Sequence, residues 1–287
     1  MKTLISSVLL ILVKVSLHAS TPVINSIPNL ASPSVITAFG ECDKFFYIGT
    51  NDGLIRQNKS NGNKIILTPK NSSLPSNHIT SIACGRNGHA YIGTDKGMLL
   101  WDNYSFILVT TENSGLPDNH ITALAVDHND DLWIGTYCEG LVKAIGNPIK
   151  AFNTLPIKFN NESIYSITVD PSGCLWISFL KGGYACLSNG EWLIYPSDQP
   201  LENIKTLNNH PFLLNTPDAC IYVLDGASVK KLPIEIPCQK KTCVYYDSKN
   251  SRMFLCYEDG VLVLNPKNPF LIPEIISYCS FLDSLGL

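Results

Sequence analysis

The side chains best suited to chemistry in this 287-residue chain are few, and they recur at a nearly fixed interval. Asn77-His78 returns as Asn119-His120, while Asp52, Asp95-Lys96, Glu139 and Lys181 follow one another at intervals near forty residues, with Tyr137 close to Glu139. Two carboxylates at a suitable separation are enough for acid–base work on a glycosidic bond. Asp52, Asp95 and Glu139 are therefore the residues on which a glycoside-acting enzyme would be built, although solvated turns explain them more simply. His78 and His120 could converge on one ligand or metal ion, but two ligands alone make an incomplete metal site. Asn77 and Asn119 also have a structural reading, because an Asn side chain readily bonds to nearby backbone. Residues 127–131 read Asp-His-Asn-Asp-Asp, the composition of a calcium loop without its full spacing or its distal Glu, and are taken as a turn. There is no Gly-x-Ser-x-Gly, His-Glu-x-x-His or phosphate loop. The sequence thus points to no catalytic residue, no cofactor and no metal centre.

What positions these residues is an internal repeat. Leu74-Pro75-Ser76-Asn77-His78-Ile79-Thr80 leads to Tyr91-Ile92-Gly93-Thr94 and then Gly97-Met98, and Leu116-Pro117-Asp118-Asn119-His120-Ile121-Thr122 leads to Trp133-Ile134-Gly135-Thr136 and then Gly140-Leu141. An earlier copy has Ile36-Thr37, Tyr47-Ile48-Gly49-Thr50 and Gly53-Leu54; a weaker one has Ile164-Tyr165, Trp176-Ile177-Ser178 and Gly182-Gly183. The leading Ile falls at 36, 79, 121, 164 and 204, and a sixth, decayed copy begins at Thr242. A period near 42 residues suits either a propeller blade or a helix pair.

Local pattern selects the first. In the second copy, residues 79–83, 90–94, 97–101 and 106–110 are short runs rich in β-branched, aliphatic and aromatic residues, separated by Asn, Asp and Gly, which tolerate tight hairpin turns. No run has the length of a helix. Four antiparallel strands make one blade, and a blade cannot bury both faces alone, so the copies must stack around a ring. The expectation is an all-β fold: a β-propeller of four-stranded antiparallel blades, six favoured and seven possible. Tyr47, Tyr91, Trp133 and Trp176 share one position and are read as wedges between blades rather than as ligand platforms. Gly49, Gly93 and Gly135 would permit close backbone approach, and Gly53, Gly97 and Gly140 would restart the third strand. Residues 23–27 or 270–276 would supply the outer strand of the last blade, leaving 277–287 unassigned.

The motif Leu-Pro-x-Asn-His-Ile-Thr, followed by Trp/Tyr-Ile-Gly-Thr and Gly-Leu, resembles that of the two-component regulator propeller family. The resemblance extends over about 33–265, strongest in the first three copies. It implies a propeller of the kind that forms the periplasmic sensing part of membrane-bound hybrid histidine kinases, many of which respond to glycans. The family commonly has more repeats, often in two seven-bladed rings, and a downstream immunoglobulin-like domain, membrane span and kinase. None of these is read in this chain, so signalling would need a separate partner. The resemblance also places ligands at the ring mouth, where the loops before the inner strands meet those joining second and third strands. There it gathers His78, His120, Asn77, Asn119, Asp52, Asp95, Lys96, Tyr137, Glu139 and Lys181 as the candidate ligand-binding residues, with Ser163, Glu202 and Asn203 beside them. This neutral, hydrogen-bonding and partly aromatic set suits a glycan or a polar peptide.

Composition agrees with a module of that kind. Only 16% of residues are charged and the net charge is −3, which excludes the basic footprint of a nucleic-acid binder. Met1-Lys2, an apolar run over 4–13 interrupted later by Lys14, and small residues at 19–20 have the layout of a secretory signal peptide over 1–20. A single propeller domain over 21–287, periplasmic or extracellular and without a membrane span once the leader is removed, follows. Ten Cys at irregular spacing leave two readings open. They are disulfides of an exported protein, or small buried hydrophobes in strands, as at Cys84, Cys243 and Cys256. A ligand-binding or protein-interaction module is favoured over a lyase-like or glycoside-acting enzyme on the same scaffold, and over a purely structural scaffold.

Overall fold

The computed structural model describes residues 36–196 except 87, 147–148, 156–162 and 171, and from 204 onward the strand residues to 277. The leader over 1–20, the run at 23–27, Glu202-Asn203 and the tail after 277 lie outside the described residues.

Among the described residues there are six sheets, each of four antiparallel strands taken in chain order. We call them blades 1 to 6, spanning 36–67, 79–109, 121–154, 164–195, 204–231 and 241–277. The first strands, Ile36–Glu41, Ile79–Cys84, Ile121–Val126 and Ile164–Val169, follow one another side by side, and Ile164–Val169 adjoins Ile204–Leu207. The first strand of blade 6, Lys241–Asp247, lies against that of blade 1. The chain is therefore an all-β propeller, with its first strands innermost. The outer strand of blade 6 is Glu274–Ser277, paired with Gly260–Leu264, so the C-terminal of the two proposed segments supplies it. The strands of blade 2 fall at Ile79–Cys84, Ala90–Thr94, Gly97–Trp101 and Phe106–Val109, within a residue of the sequence reading. The connection to blade 3 contains a one-turn helix, Thr111–Ser114, where the sequence pattern shows none.

The repeated motif is explained residue by residue. Pairing of the innermost strand with the second slips by one residue after the leading position, at 36/38, 79/81, 164/166 and 241/243, and in blade 3 between Ile121 and Ala123. This recurrent β-bulge adds one residue, the Thr of Ile-Thr in blades 1 to 3, Tyr165 in blade 4 and Thr242 in blade 6, and bends the inner strand. The Gly of Gly-Thr then receives the leading Ile of the next blade. A Cβ on Gly49 would stand 2.5 Å from Ile79 Cγ2, one on Gly93 2.8 Å from Ile121 Cγ2, and one on Gly135 2.6 Å from Ile164 Cγ2. Each is too close for any side chain, so glycine is required by the neighbouring blade. Blade 4 has Ser178 at this position, buried, with its hydroxyl unpaired.

The aromatic position behaves as a wedge. Tyr47 packs with Ile79, Ala90 and Ile92 of blade 2. Tyr91 packs with Leu124 and Ile134 of blade 3, Trp133 with Ile164 and Ile177 of blade 4, and Trp176 with Ile204 of blade 5. The indole N–H groups are satisfied within their own blade: Trp133 Nε1 donates to Asp127 Oδ2 at 2.9 Å and Trp176 Nε1 to Asp170 Oδ2 at 3.0 Å. Asp127 Oδ1 accepts from the backbone N–H of Asn129 and Asp131. Its carboxylate is thus committed to a turn, and 127–131 is the hairpin between first and second strands.

Burial pushes the phenols of Tyr47, Tyr91 and Tyr184 up to about 12 from 10.0. A pKa raised in the folded state means that the native protein holds these protons while the unfolded chain releases them. Their contribution is complete below pH 10 and is lost between pH 10 and 12. Cooperative unfolding is expected in that interval, with tyrosinate absorbance rising together with the loss of β-sheet circular dichroism. Gradual phenol ionisation in an intact fold would contradict it.

At the end of the ring away from the mouth, the blades are also cross-linked. The Arg86 backbone N–H donates to Asp130 Oδ1 at 2.7 Å, Arg86 Nη2 meets His128 Nδ1 at 3.1 Å, and His128 Nε2 meets the Asp170 carbonyl at 2.9 Å. A guanidinium only donates and a carbonyl only accepts, so His128 carries its proton on Nε2. Cys42 and Cys84, 42 positions apart, form a disulfide between blades 1 and 2. The disulfide reading therefore holds for Cys84, and the buried-hydrophobe reading does not.

Candidate functional site: the mouth of the ring

The mouth is built from the turn joining second and third strands and the loop leading into each innermost strand. The turn has one construction in three blades. Thr50 Oγ1 donates to the Gly53 carbonyl and accepts from the Asp52 N–H; Thr94 does the same with Gly97 and Lys96, and Thr136 with Gly140 and Glu139. The hydroxyl bonds are 2.8–2.9 Å and all three Thr are buried. Gly53 and Gly97 adopt φ of 130° and 122°, which side chains rarely take. Asp52, Lys96 and Glu139 are thereby held at turn tips with exposed side chains, while Asp95 is half-buried. Lys181 occupies the corresponding turn of blade 4 and is exposed.

The leading loops are pinned by the residue between Pro and Asn. Ser76 Oγ accepts from the His78 N–H at 3.1 Å. In blade 3 Asp118 Oδ1 accepts from the His120 N–H and Asp118 Oδ2 from the Cys138 N–H, both at 2.9 Å. Asp118 thus fastens the leading loop to the turn of its own blade. Asp118 is not among the sequence candidates; the signal for it is that the variable position of the motif is filled both times by a residue able to cap a turn. Asn119 is structural at its side chain, with Oδ1 accepting from the Thr111 N–H and Nδ2 donating to Thr111 Oγ1. Its carbonyl also accepts from the Gly97 N–H of blade 2 at 2.7 Å. Asn77 and His78 are exposed in blade 2.

In blades 3 and 4 the loops converge. The His120 carbonyl accepts from the Tyr137 N–H at 3.0 Å, and the two rings stack with centroids 4.8 Å apart and planes 15° apart. Ser163 Oγ donates to the Tyr137 carbonyl at 2.5 Å, while the Ser163 carbonyl accepts from the Leu180 N–H at 3.0 Å. Tyr137 and Leu180 occupy the position filled by Asn51 and Asp95 in the first two blades, and are 44% and 39% exposed. This sector therefore presents a propped aromatic ring and an apolar side chain, with Glu139 and Lys181 at its rim. Among the sequence candidates, the structure brings His120, Asn119, Tyr137 and Glu139 together in this blade. Among the described residues, no group of three or more His, Cys, Asp or Glu is disposed to hold a metal ion.

Residues 73–96 and 115–138 match the two component regulator propeller family. Each stretch begins just before Leu-Pro and ends in the turn after Gly-Thr, and so contains the two loops of one mouth segment. The chain carries two-component regulator propeller repeats. No curated protein matches the sequence significantly. Among solved structures, the extracellular domain of the hybrid two component system BT4673 from B. thetaiotaomicron is 18% identical, with a TM-score of 0.64 over 79% of this chain and 32% of that one. Virginiamycin B lyase from Staphylococcus aureus is 12% identical, with a TM-score of 0.68 over 87% and 86%. PorZ, a surface component of the type-IX secretion system of Porphyromonas gingivalis, is 14% identical, with a TM-score of 0.60 over 82% and 32%. At these identities the likeness is one of fold. The match to that extracellular domain of B. thetaiotaomicron spans about a third of its length. Among the described residues, no helix is long and apolar enough to cross a membrane.

Proposed function

We propose that this chain is a non-catalytic recognition propeller, exported to the periplasm or cell exterior, that binds a glycan or a polar peptide at the mouth of its ring. The observation that carries this reading is the sector of blades 3 and 4, where Tyr137 is stacked on His120 and still half-exposed. A rigid aromatic ring offers a flat surface at little entropic cost, and the polar rim around it supplies hydrogen bonds. Export is supported by the basic-then-apolar leader over 1–20, by the Cys42–Cys84 disulfide, and by likeness to extracellular domains. Residues 21–287 would form the single recognition domain, with His78, Asn77, Asp52, Asp95, Lys96 and Lys181 on the remainder of the same face. The likeness to two-component sensors suggests a separate transducing partner.

An array of soluble oligosaccharides and peptides, followed by calorimetric titration of the hits, tests the reading. Tyr137→Ala is expected to weaken binding about tenfold, which is about 1.4 kcal/mol. Arg86→Ala, at the opposite end of the ring, is expected to leave binding unchanged. Equal affinity of the two variants would remove the mouth as the binding face.

A further inference from the structure

Cys174 precedes the second strand of blade 4, and Cys186 lies in the third strand, directly across from Trp176. Side chains alternate along a strand, so residues 174 and 176 share a face and Cys186 lies on it too. That face is the seam with blade 5, where Trp176, Tyr184, Cys186 and Ile204 form one buried cluster and Cys174 and Tyr195 pack against it. Cys186 lies diagonally across the strand pair from Cys174, and Cys174 packs against the cluster that contains it. Cys174 is further flanked by Ser172 Oγ and Ser188 Oγ, each 3.4 Å from its sulfur. Neither cysteine belongs to a disulfide, whereas Cys42 and Cys84 are joined.

We propose that Cys174 and Cys186 are a dithiol–disulfide couple set in the seam between blades 4 and 5. The half-buried Cys174 meets the oxidant first. Its thiolate attacks one sulfur of a disulfide reagent such as oxidised glutathione and releases one thiol. Cys186 then displaces the second thiol from the mixed disulfide and loses its proton to solvent. Two thiols and one external disulfide become one internal disulfide and two external thiols. Burial, with Cys174 beside it, pushes the Cys186 thiol up to about 12. The closing step is therefore slow at neutral pH and quickens as pH rises, and the mixed disulfide on Cys174 accumulates first.

The test equilibrates the full chain in glutathione buffers of graded ratio, quenches with acid, alkylates and maps the peptides. A peptide pair joining 174 to 186 is expected in the oxidising buffers and is lost in the reducing ones. Its formation should quench the emission of Trp176, and Cys174→Ser should abolish that change. Cys186→Ser should leave glutathione trapped on Cys174. The proposal is overturned by independent alkylation of the two thiols at every ratio, or by linkage of either one to a different cysteine. Circular dichroism of both variants separates loss of the couple from loss of the fold.

Discussion

Gly135→Ala is expected to destabilise the protein by about 3 kcal/mol, at the upper end of the cost of overpacking a core. The new methyl would lie 2.6 Å from Ile164 Cγ2, 2.9 Å from Ile164 Cβ and 3.2 Å from Thr122 Oγ1. Rotation cannot relieve it, because Ile is branched at Cβ and that atom itself is in contact. Nor can the backbone easily yield, since Gly135 pairs with Leu141 on one side and Ala123 on the other. Ile164→Ala, at a site 1% exposed, is expected to cost about 2–5 kcal/mol by leaving a cavity. The double variant should cost less than the sum by about 1–3 kcal/mol, because the methyl added at position 135 then occupies space the isoleucine vacated. Chemical denaturation of the four proteins of the cycle measures this coupling. Additive costs would mean that the glycine is not there for the next blade's isoleucine.

That pairing shows why the repeat is legible and what is hidden in it. A propeller requires each blade to fit the next, so Gly49, Gly93 and Gly135 and the isoleucines that meet them recur together and are visible by self-comparison. The same holds for Tyr47, Tyr91, Trp133 and Trp176. Their positions are readable, but that the contact runs from one copy's Gly to the following copy's Ile is not, because a spacing carries no direction. The connections are less legible. The carbonyls of Thr68 and Thr110 each accept a hydrogen bond from the serine four residues on, and Asn71 and Asn113 each reach back to a strand carbonyl, yet these polar residues read as ordinary loop composition. At the mouth, His120 and Tyr137 are on adjacent loops of one blade and can be gathered from the repeat. Their stacking, and the roles of Asp118 and Leu180, depend on loop geometry that periodicity does not encode. In the weaker fourth copy Gly-Thr is gone: Ser178-Phe179 stands where Gly135-Thr136 stands in blade 3, and the threonine-built turn is lost with it.

Replacing Cys42 and Cys84 together by Ala is expected to cost about 3–4 kcal/mol, which makes it the other large effect. In the chain-entropy picture a cross-link closing a loop of this length restricts the unfolded chain by about 4 kcal/mol. The separation of 42 residues is one repeat, so the bridge ties blade 1 to blade 2 without bridging across the ring. Both cysteines follow the course of an innermost strand away from the mouth, Cys42 just beyond Ile36–Glu41 and Cys84 at the end of Ile79–Cys84. The bond therefore fastens the end of the seam opposite the mouth. Two outcomes should separate. The denaturation midpoint should fall markedly in the variant, and in the native protein by the same amount when reductant is added. The affinity for any ligand found by the array proposed above should not change, because the loops of blades 3 and 4 are fixed by Asp118, Ser163 and the buried Thr136. If instead the variant bound more weakly in proportion to its lost stability, the ring would have to be treated as one strained body, with its mouth dependent on closure at every seam.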